Sequence, residues 1–302
     1  RSPSDLIFLT KFLLLCSETI KDAQKYNPEF LEDIIEKNLS CIKFIKTPED
    51  NIPLFNGGSV NDIFKFKRYL ENFSEKRKKK KRIIGGLFMA KSKQQTIFFD
   101  VGSPPDKNFS KNYQAGPLSF EYFLDGDKII TNCGFGNNIS PKAELISRLT
   151  ASQSTLTIND TVITKFERSK IINRTFGNSI KNTFKTFELD LKDERSFVSC
   201  SVSHNGYEKN FGCIHKREIY LDKDSNKLKG IDHIIKKSDG IPIRYVFRFH
   251  LNPGLSAVKT MGGNSALIQI SKNKSVLFTT ENENLEIEKS IFLGGKKILD
   301  NS

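Results

Sequence analysis

The chain has 302 residues, of which 37% are hydrophobic, so it can bury a substantial core as one or two domains. Its formal net charge is +13, and a positive surface attracts polyanions such as nucleic acid, anionic lipid or acidic polysaccharide. No stretch reaches the roughly 18 apolar residues of a membrane-spanning helix, so no transmembrane segment is predicted. The five cysteines are scattered without a CxxC pair, which argues against a disulfide framework or a zinc ribbon and predicts buried free thiols.

The first 75 residues have the apolar periodicity of helices. Ser2-Pro3-Ser4-Asp5 is a helix-start signal, and because the chain begins at this signal without a Met, we interpret it as a fragment of a longer protein. Asn27-Pro28 predicts the start of a second helix, and Ser59 with Asp62 predicts the start of a shorter third. The predicted buried faces are Leu6, Leu9, Leu13, Cys16 and Ile20 in the first helix, Leu31, Ile35, Leu39 and Ile42 in the second, and Ile63, Phe66, Leu70 and Phe73 in the third.

A basic run from Glu75 to Arg82 separates these helices from a β-type pattern that starts at Ile83. Such a run is typical of a solvated linker, although nuclear addresses and nucleic-acid patches also use it. Many short strands with polar turns, such as the hairpin signal Asp125-Gly126, predict an antiparallel sandwich rather than a βαβ fold. The predicted strands are Leu87–Lys91, Thr96–Val101, Leu118–Leu124, Lys128–Asn132, Ser154–Ile158, Phe184–Leu191, Ser196–Ser203, Ile214–Leu221, Tyr245–Leu251, Ala266–Ser271 and Ser275–Thr279.

Side-chain alternation is clear in the segment Phe187–Leu191. Successive side chains of a strand point to opposite faces. We therefore expect Phe187, Leu189 and Leu191 on one face, with Glu188 and Asp190 on the other.

The histidines and acidic residues show no spacing that specifies a metal site, since neither H-x-H nor HExxH occurs. Asp222, Asp224 and Asn226 have the spacing that opens a calcium-binding loop. Lys227 stands where that loop needs Gly, and His233 stands where it needs the closing Glu. We interpret the segment as a polar turn.

Several short strings occur in a fixed order along the chain. They are Leu118-Ser119-Phe120-Glu121, Ile129–Gly134, Arg148–Leu156, His204-Asn205-Gly206-Tyr207, His215-Lys216-Arg217 and Arg248–Pro253. In this order they resemble the C-terminal region of the heparinase II/III family, whose pattern includes "LSFE", "vdxG", "R-x-T-x-x-H-x-T-L", "H-D-G-Y", "H-x-R" and "F-H-L-x-P". The resemblance covers essentially all of the chain.

This resemblance implies an α+β multidomain fold, in which the end of an α/α toroid precedes a large antiparallel β-sandwich. Residues 1–82 would be the last toroid helices with a basic linker, and residues 83–302 would be the sandwich. The active site would lie in the cleft between them and cleave uronate-containing polysaccharide by β-elimination. The main catalytic Tyr and its Asn or His partner would lie upstream of this chain. Family habit also implies export to the periplasm or cell envelope.

Two positions depart from the family pattern. A His-x-Asp element commonly precedes the "LSFE" strand, and the matching residues here are Gln114 and Gly116. The His of "R-x-T-x-x-H-x-T-L" is Gln153 here. Gln does not titrate near neutral pH and is a poor zinc ligand. Although family members bind zinc with such groups, no metal or other cofactor is predicted for this chain.

The resemblance and the residue chemistry together give a set of site residues. The predicted catalytic residues are His204, Tyr207 and His215, and the predicted substrate-binding residues are Asn112, Tyr113, Gln114, Arg148, Gln153, Arg248 and His250. Strand alternation would place His250 on one basic face with Arg248 and Arg244. The competing interpretations are structural: a solvated hairpin end for His204, a packed strand residue for His215 and a solvated face for His250.

Two functions from the same family compete, and a third from outside it. The first is a lyase acting on an acidic polysaccharide, and the second is a family member that binds glycan or envelope polymer without cleaving it. The two Gln substitutions favour the second. A nucleic-acid-binding protein would need aromatic side chains interleaved with Lys and Arg on one platform, whereas the Phe residues here follow core-like alternation, so no nucleic-acid partner is predicted.

Overall fold

The computed structural model describes residues 2–60, 67–72, 81–167, 169, 171, 177–237, 244–281 and 285–301. The described helices are α1 (Pro3–Asp22), α2 (Glu29–Ile45), α3 (Lys67–Asn72), α4 (Pro141–Ser147) and α5 (Glu208–Phe211). The described strands are β1 (Ile83–Ile84), β2 (Leu87–Lys91), β3 (Gln95–Asp100), β4 (Phe120–Leu124), β5 (Asp127–Thr131), β6 (Leu156–Ile158), β7 (Thr186–Asp193), β8 (Phe197–His204), β9 (Cys213–Asp222), β10 (Leu228–Lys236), β11 (Tyr245–Phe247), β12 (His250–Leu251), β13 (Ser256–Lys259), β14 (Ser265–Ser271), β15 (Lys274–Thr279), β16 (Ser290–Phe292) and β17 (Leu299–Asn301).

The first two helices begin where the sequence predicts. The Ser2 side chain accepts a hydrogen bond from the backbone N–H of Asp5, and a proline occupies the first turn of α1. Helix α2 follows Pro28 and buries the predicted stripe of Leu31, Ile35, Leu39 and Ile42. Of the third helix, α3 is described and Leu70 is buried, while Ile63, Phe66, Phe73 and most of the basic run lie outside the described residues.

The predicted buried face of α1 is wrong in part. The buried positions are Pro3, Thr10, Leu14 and Ser17, whereas Leu9 is 52% exposed and Cys16 is also exposed. Helix α1 is apolar around most of its circumference, so periodicity alone does not fix which side packs. One consequence is an exposed apolar face made of Phe8, Leu9, Phe12 and Leu15.

All described strand pairs are antiparallel, and they form two large sheets with three small ones. The larger sheet has the order β1-β2-β3-β4-β5-β12, and the second has the order β10-β9-β8-β7. Strand β11 pairs with β6, β14 lies between β13 and β15, and β16 pairs with β17. The prediction of an antiparallel β-sandwich preceded by helices is confirmed. The change to strands falls at β1, while the division into two domains at residues 82 and 83 stays a prediction.

The six-stranded sheet is buried on both faces. Phe88, Ile97 and Phe99 face the sandwich core, where they join side chains of β8 and β9. Phe98 and Phe123 point the other way and pack against the apolar stripe of α2. Every residue of β3 is therefore buried, and the helical segment is joined to the sandwich through a shared hydrophobic core.

The predicted alternation in β7 is wrong because a β-bulge interrupts it. Phe187 lies opposite Ser203 and Asp190 lies opposite Ser201, so three steps along β7 match two along β8. Phe187 and Asp190 therefore share a face, contrary to the expectation from strict alternation. Glu188 has a φ of 52°, which is the local conformation that accommodates the extra residue.

The predicted strand Tyr245–Leu251 is divided between two sheets. Strand β11 pairs with β6, and β12 pairs with β5 of the six-stranded sheet. Because the chain leaves one sheet and enters the other at Arg248 and Phe249, alternation does not continue across this point. The prediction that His250 shares a basic face with Arg248 and Arg244 is therefore wrong.

Three smaller expectations concern cysteines, turns and membranes. All five cysteines are free, and Cys133, Cys200 and Cys213 are buried, but Cys16 is exposed. The carboxylate of Asp222 accepts hydrogen bonds from the backbone N–H groups of Asp224 and Ser225, as expected of a polar turn. Among the described residues, no helix combines the length and apolar character needed to cross a membrane.

Candidate functional site

A groove lies at the junction between the helical segment and the sandwich. One cavity of about 470 Å³ is bounded on one side by the start of α1 and on the other by the segment 105–113. The Nδ2 of Asn112 donates to both carboxylate oxygens of Asp5, at 3.1 and 3.0 Å, and so bridges the two walls. The cavity is lined by Ser2, Asp5, Leu6, Leu9, Asn56, Pro105, Asn108, Phe109, Lys111, Asn112 and Tyr113.

A second cavity of about 360 Å³ extends the groove on the sandwich side. It shares Lys111 and Asn112 with the first cavity, and its other lining residues are Phe135, Asn137, Glu144, Gly177 and Asn178. Asparagine amides recur along both cavities, and Lys111 is an exposed cation at the point where they meet. Phe109 is 78% exposed at the groove, an unusual environment for a large aromatic side chain.

Arg148 supports the groove from beneath and does not reach its surface. Its side chain is fully buried, and its Nε and Nη2 donate to the backbone carbonyls of Tyr113 and Ser110, at 2.8 and 2.9 Å. The guanidinium lies 4.2 Å from the ring centroid of Phe166. Burial lowers the pKa of Arg148 to about 10, partly opposed by the charge of Glu144. Arg148 therefore fixes the two ends of the loop that presents Lys111 and Asn112.

Gln114 and Gln153 lie together below the groove. The Nε2 of Gln114 donates to the carbonyls of Gly134 and Ser147, each at 2.9 Å. The Nε2 of Gln153 donates to the same Ser147 carbonyl at 2.8 Å. Both side chains are almost completely buried, so neither presents a polar group to a polymer in the groove.

The residues that match the family's zinc-binding positions do not fit a metal ion. Gly116 supplies no side chain, and the amide N–H groups of Gln114 and Gln153 point at backbone carbonyls. An amide nitrogen that donates in this way has no lone pair to offer a cation. Within the described part of the chain, no group of three or more His, Cys, Asp or Glu side chains is arranged to hold a metal ion.

The predicted catalytic histidines form a separate buried network. His204 Nε2 lies 3.2 Å from His215 Nδ1, and His215 Nε2 lies 2.6 Å from the Asp232 carboxylate. Because the Gly206 N–H donates to His204 Nδ1, a neutral His204 carries its proton on Nε2 and donates to His215. His215 then donates to Asp232, which also receives two hydrogen bonds from Arg217.

Electrostatics favours neutral histidines and a charged carboxylate in this network. Burial lowers the pKa of both His204 and His215, and it outweighs the hydrogen bond and charge of Asp232, which act to raise the pKa of His215. Burial alone would raise the pKa of Asp232, but the charge of Arg217 and the hydrogen bond from His215 hold it well below the usual range. The network is a directional chain of hydrogen bonds that ends on an ion pair.

Tyr207 packs beside this network and is also buried. Its hydroxyl donates to the carbonyl of Leu156 at 2.8 Å, and burial raises the pKa of the phenol. Its ring lies 5.7 Å from that of His204. In this arrangement His204, Tyr207 and His215 present no surface to a polymer.

Arg248 and His250 occupy different surroundings. Arg248 donates to the Thr157 hydroxyl at 2.6 Å and lies 3.3 Å from the Asp160 carboxylate, which Arg244 also contacts. His250 is buried, with Nδ1 2.8 Å from the Ser290 hydroxyl and Nε2 2.9 Å from the Ala151 carbonyl. Neither residue lines the described groove.

Apart from Arg248 and His250, the predicted site residues fall into three locations. Asn112 and Tyr113 line the groove, and Arg148, Gln114 and Gln153 lie beneath it. The His204 network is separate from the groove lining and is joined to the segment 154–156 by the hydrogen bond from Arg217 to the Ser154 carbonyl. Sequence reasoning missed Asp5, Asn56, Phe109 and Lys111, because no periodic pattern or spacing marks loop residues that meet only in the fold.

Family comparison agrees with this architecture. The sequence model described as "Heparinase II/III-like, C-terminal" matches residues 78–301. The chain belongs to this heparinase II/III-like family. The resemblance inferred from the ordered motifs is therefore confirmed, and with it membership of a polysaccharide lyase-like family.

Similar proteins are about twice as long as this chain. FtsZ-localized protein C of Caulobacter vibrioides is 25% identical in an alignment of 292 positions that covers 90% of this chain and 48% of that protein. Heparan sulfate lyase HepC of Pedobacter heparinus superposes with a TM-score of 0.72 at 14% identity, over 99% of this chain and 48% of its own. A structure of heparinase III superposes with a TM-score of 0.68 at 13% identity, over 98% of this chain and 50% of its own. At sequence identities of 13–14%, the structural similarity shows that the fold is shared.

Proposed function

We propose that the protein binds a uronate-containing acidic polysaccharide in the groove between its helices and sandwich, and that the full-length protein cleaves it by β-elimination. The observation that carries this proposal is the position of the groove. It is a concave surface to which the helical segment and the sandwich of a heparinase II/III-like chain both supply polar side chains.

The groove lining includes groups that can bind an acidic sugar chain, although Asp5 and Glu144 also line it. Lys111 supplies an exposed positive charge for a uronate carboxylate, and asparagine amides supply donors and acceptors for hydroxyl groups. Phe109 offers an exposed ring against which the apolar face of a sugar can pack. The net charge of +13 favours the approach of a polyanion.

β-Elimination also needs a base for the proton next to the carboxylate and an acid for the leaving glycosidic oxygen. His204, His215 and Tyr207 are buried away from the groove, so they reach substrate only if the domain rearranges. We therefore place the main proton-transfer residues, a Tyr with an Asn or His partner, outside this chain.

We also propose that the full-length protein is exported to the periplasm or cell envelope. Its recovery with the cytosol on cell fractionation would contradict this localisation.

The direct test of cleavage uses the full-length protein. It is incubated with a panel of acidic polysaccharides, including heparan sulfate and alginate, while the ultraviolet absorbance of a new uronate double bond is followed. A rise on at least one substrate, lost in a Lys111→Glu variant that still folds, is the expected result. No rise on any substrate would contradict β-elimination.

A second function is favoured by the glutamines. With Gln114 and Gln153 in structural hydrogen bonds, the sandwich supplies no titratable group to the groove from these positions. A family member of this kind would bind glycan or envelope polymer without cleaving it. Retained glycan binding without any new absorbance would identify this function, and colocalisation of the tagged full-length protein with FtsZ would relate it to the FtsZ-localized relative.

A further inference from the structure

We infer that Gln114, Gly116 and Gln153 form an amide clasp that joins the helical segment to the sandwich and replaces a metal centre at these positions. The clasp is defined by these three residues. Its role is to hold one wall of the groove in place, and it requires no cation. This inference goes beyond the proposed function, because it holds whether or not the protein cleaves a polysaccharide.

Gln114 makes hydrogen bonds to residues on both sides of the junction. Its Oε1 accepts from the Gly57 N–H at 3.1 Å, and its own backbone N–H donates to Asn56 Oδ1 at 3.3 Å. On the sandwich side, both N–H bonds of its amide are used by the carbonyls of Gly134 and Ser147. A neutral His has one ring donor and one acceptor and cannot reproduce this set of two donors and one acceptor.

Gln153 completes the clasp through the space that Gly116 leaves open. A Cβ atom on Gly116 would lie 2.4 Å from Cγ and 2.7 Å from Cβ of Gln153. An acidic side chain at position 116 and the observed Gln153 conformer therefore exclude each other sterically. The two residues act as one coupled unit.

The clasp has a defined consequence for the groove. The Asn56-Gly57 turn lines the groove through Asn56, and the Gly57 carbonyl accepts from the Ser4 hydroxyl of α1 at 2.9 Å. Asn56 has a φ of 48° and Gly57 a φ of 89°, so this turn is held in the left-handed region. Gln114 therefore fixes the turn between α1 and the sandwich.

The deciding variant is Gln114→Glu in the full-length protein. A carboxylate would place negative charge beside the carbonyls of Gly134 and Ser147, so a clasp predicts a fall in Tm of roughly 5 °C or more, partly recovered at acidic pH. If the site instead bound a cation, the carboxylate would bind Zn²⁺ and raise the Tm. The matched control is Gln269→Glu, since Gln269 also donates to a backbone carbonyl but is exposed, and little change is expected.

Two further measurements complete the test. The wild-type protein, dialysed against Zn²⁺ and then against buffer, should retain much less than one zinc per chain, and chelator should leave its Tm unchanged. Gly116→Ala should lower the Tm, and the loss should be smaller in a Gln153→Gly background, because the close contacts with both Cβ and Cγ of residue 153 are then removed. One equivalent of retained zinc that is lost in Gln114→Ala, or a fully additive double variant, would overturn the clasp.

Discussion

At the scale of single residues, the buried ion pair between Glu121 and Lys128 shows how the "LSFE" string stabilises the sheet. The two charged groups are 3.1 Å apart, with side chains 0% and 5% exposed. Glu121 also accepts from the Thr131 hydroxyl at 3.0 Å and from the Asn132 N–H at 3.4 Å. The carboxylate therefore organises β4 and β5 around itself, and the motif has a structural role here.

Glu121→Gln should destabilise the protein strongly, because it removes the carboxylate that is hydrogen-bonded to the buried Lys128 ammonium. The expected loss is about 3–5 kcal/mol in the free energy of unfolding, measured with denaturant. Lys192→Gln is the matched control. It removes an exposed pair with Asp190 at 3.8 Å, and a loss under about 0.5 kcal/mol is expected. Equal effects of the two substitutions would contradict a stabilising role for the buried ion pair.

His250 should make stability depend on pH. Burial lowers the pKa of His250 to about 4, and the charge of Arg248 acts in the same direction, although the hydrogen bond to Ala151 opposes the shift. The unfolded chain has a His pKa of about 6.5. The unfolded state therefore binds more protons between these values, so stability is complete above about pH 6.5 and is lost as the pH falls towards 4.

The expected loss from His250 across that window is on the order of 3 kcal/mol. His250→Gln should unfold with a shallower pH dependence than wild type, because it removes a group whose pKa differs between the folded and unfolded states. The measurement is a series of denaturant unfolding curves between pH 4 and 8. A His250→Gln slope identical to that of wild type would refute the assignment.

The sequence shows which residues belong to a motif. It does not show whether those residues are buried. Gln114 and Gln153 were identified as departures from the family pattern, and their hydrogen bonds explain why an amide is suitable there. Arg148 and His250 were predicted to bind substrate because they are cationic or polar, yet tertiary packing buries both. Lys111 and Phe109 carry no motif, so only the fold brings them to the groove.

At the scale of elements, the start of α1, the whole stripe of α2 and most strands follow from local pattern. The errors occur where tertiary structure overrides it. The bulge in β7 adds a residue that alternation does not anticipate, and the transfer of the chain from β11 to β12 divides one apolar run between two sheets. Helix α1 has too many apolar positions for its sequence to select one face.

The C-terminal segment packs on the sandwich through two glycines. Gly134 has a φ of 78°, and a Cβ there would lie 2.3 Å from the Cα of Gly294. Leu293 also donates its N–H to the Cys133 carbonyl at 2.6 Å. The backbones approach so closely that no side chain fits between them.

Gly134→Ala should therefore lower the free energy of unfolding by more than backbone strain alone would. Gly254 is the matched control, because it has a φ of 90° but no atom within 4 Å of a built Cβ. Gly254→Ala should cost about 1–2 kcal/mol from the left-handed conformation, and Gly134→Ala about 1–3 kcal/mol more from overpacking. Denaturant unfolding of both variants gives the difference, and no difference would rule out the close approach.

At the scale of the whole molecule, the helices and sandwich share one hydrophobic core, and the groove follows their junction. The α1 face made of Phe8, Leu9, Phe12 and Leu15 remains exposed beside that groove. A large exposed apolar face on a helix is typical of a surface that another element covers. The architecture could be predicted from ordered motifs, whereas the groove could not, because its walls are far apart in sequence.

Titration of the full-length protein with a uronate oligosaccharide measures whether this groove binds acidic polysaccharide. Lys111→Glu should weaken binding roughly tenfold or more, because it reverses the charge where the two cavities meet. Lys272→Glu makes the same charge change in the exposed turn between β14 and β15 and should leave the affinity nearly unchanged. Equal losses in both variants, or none in Lys111→Glu, would contradict the groove as the binding site.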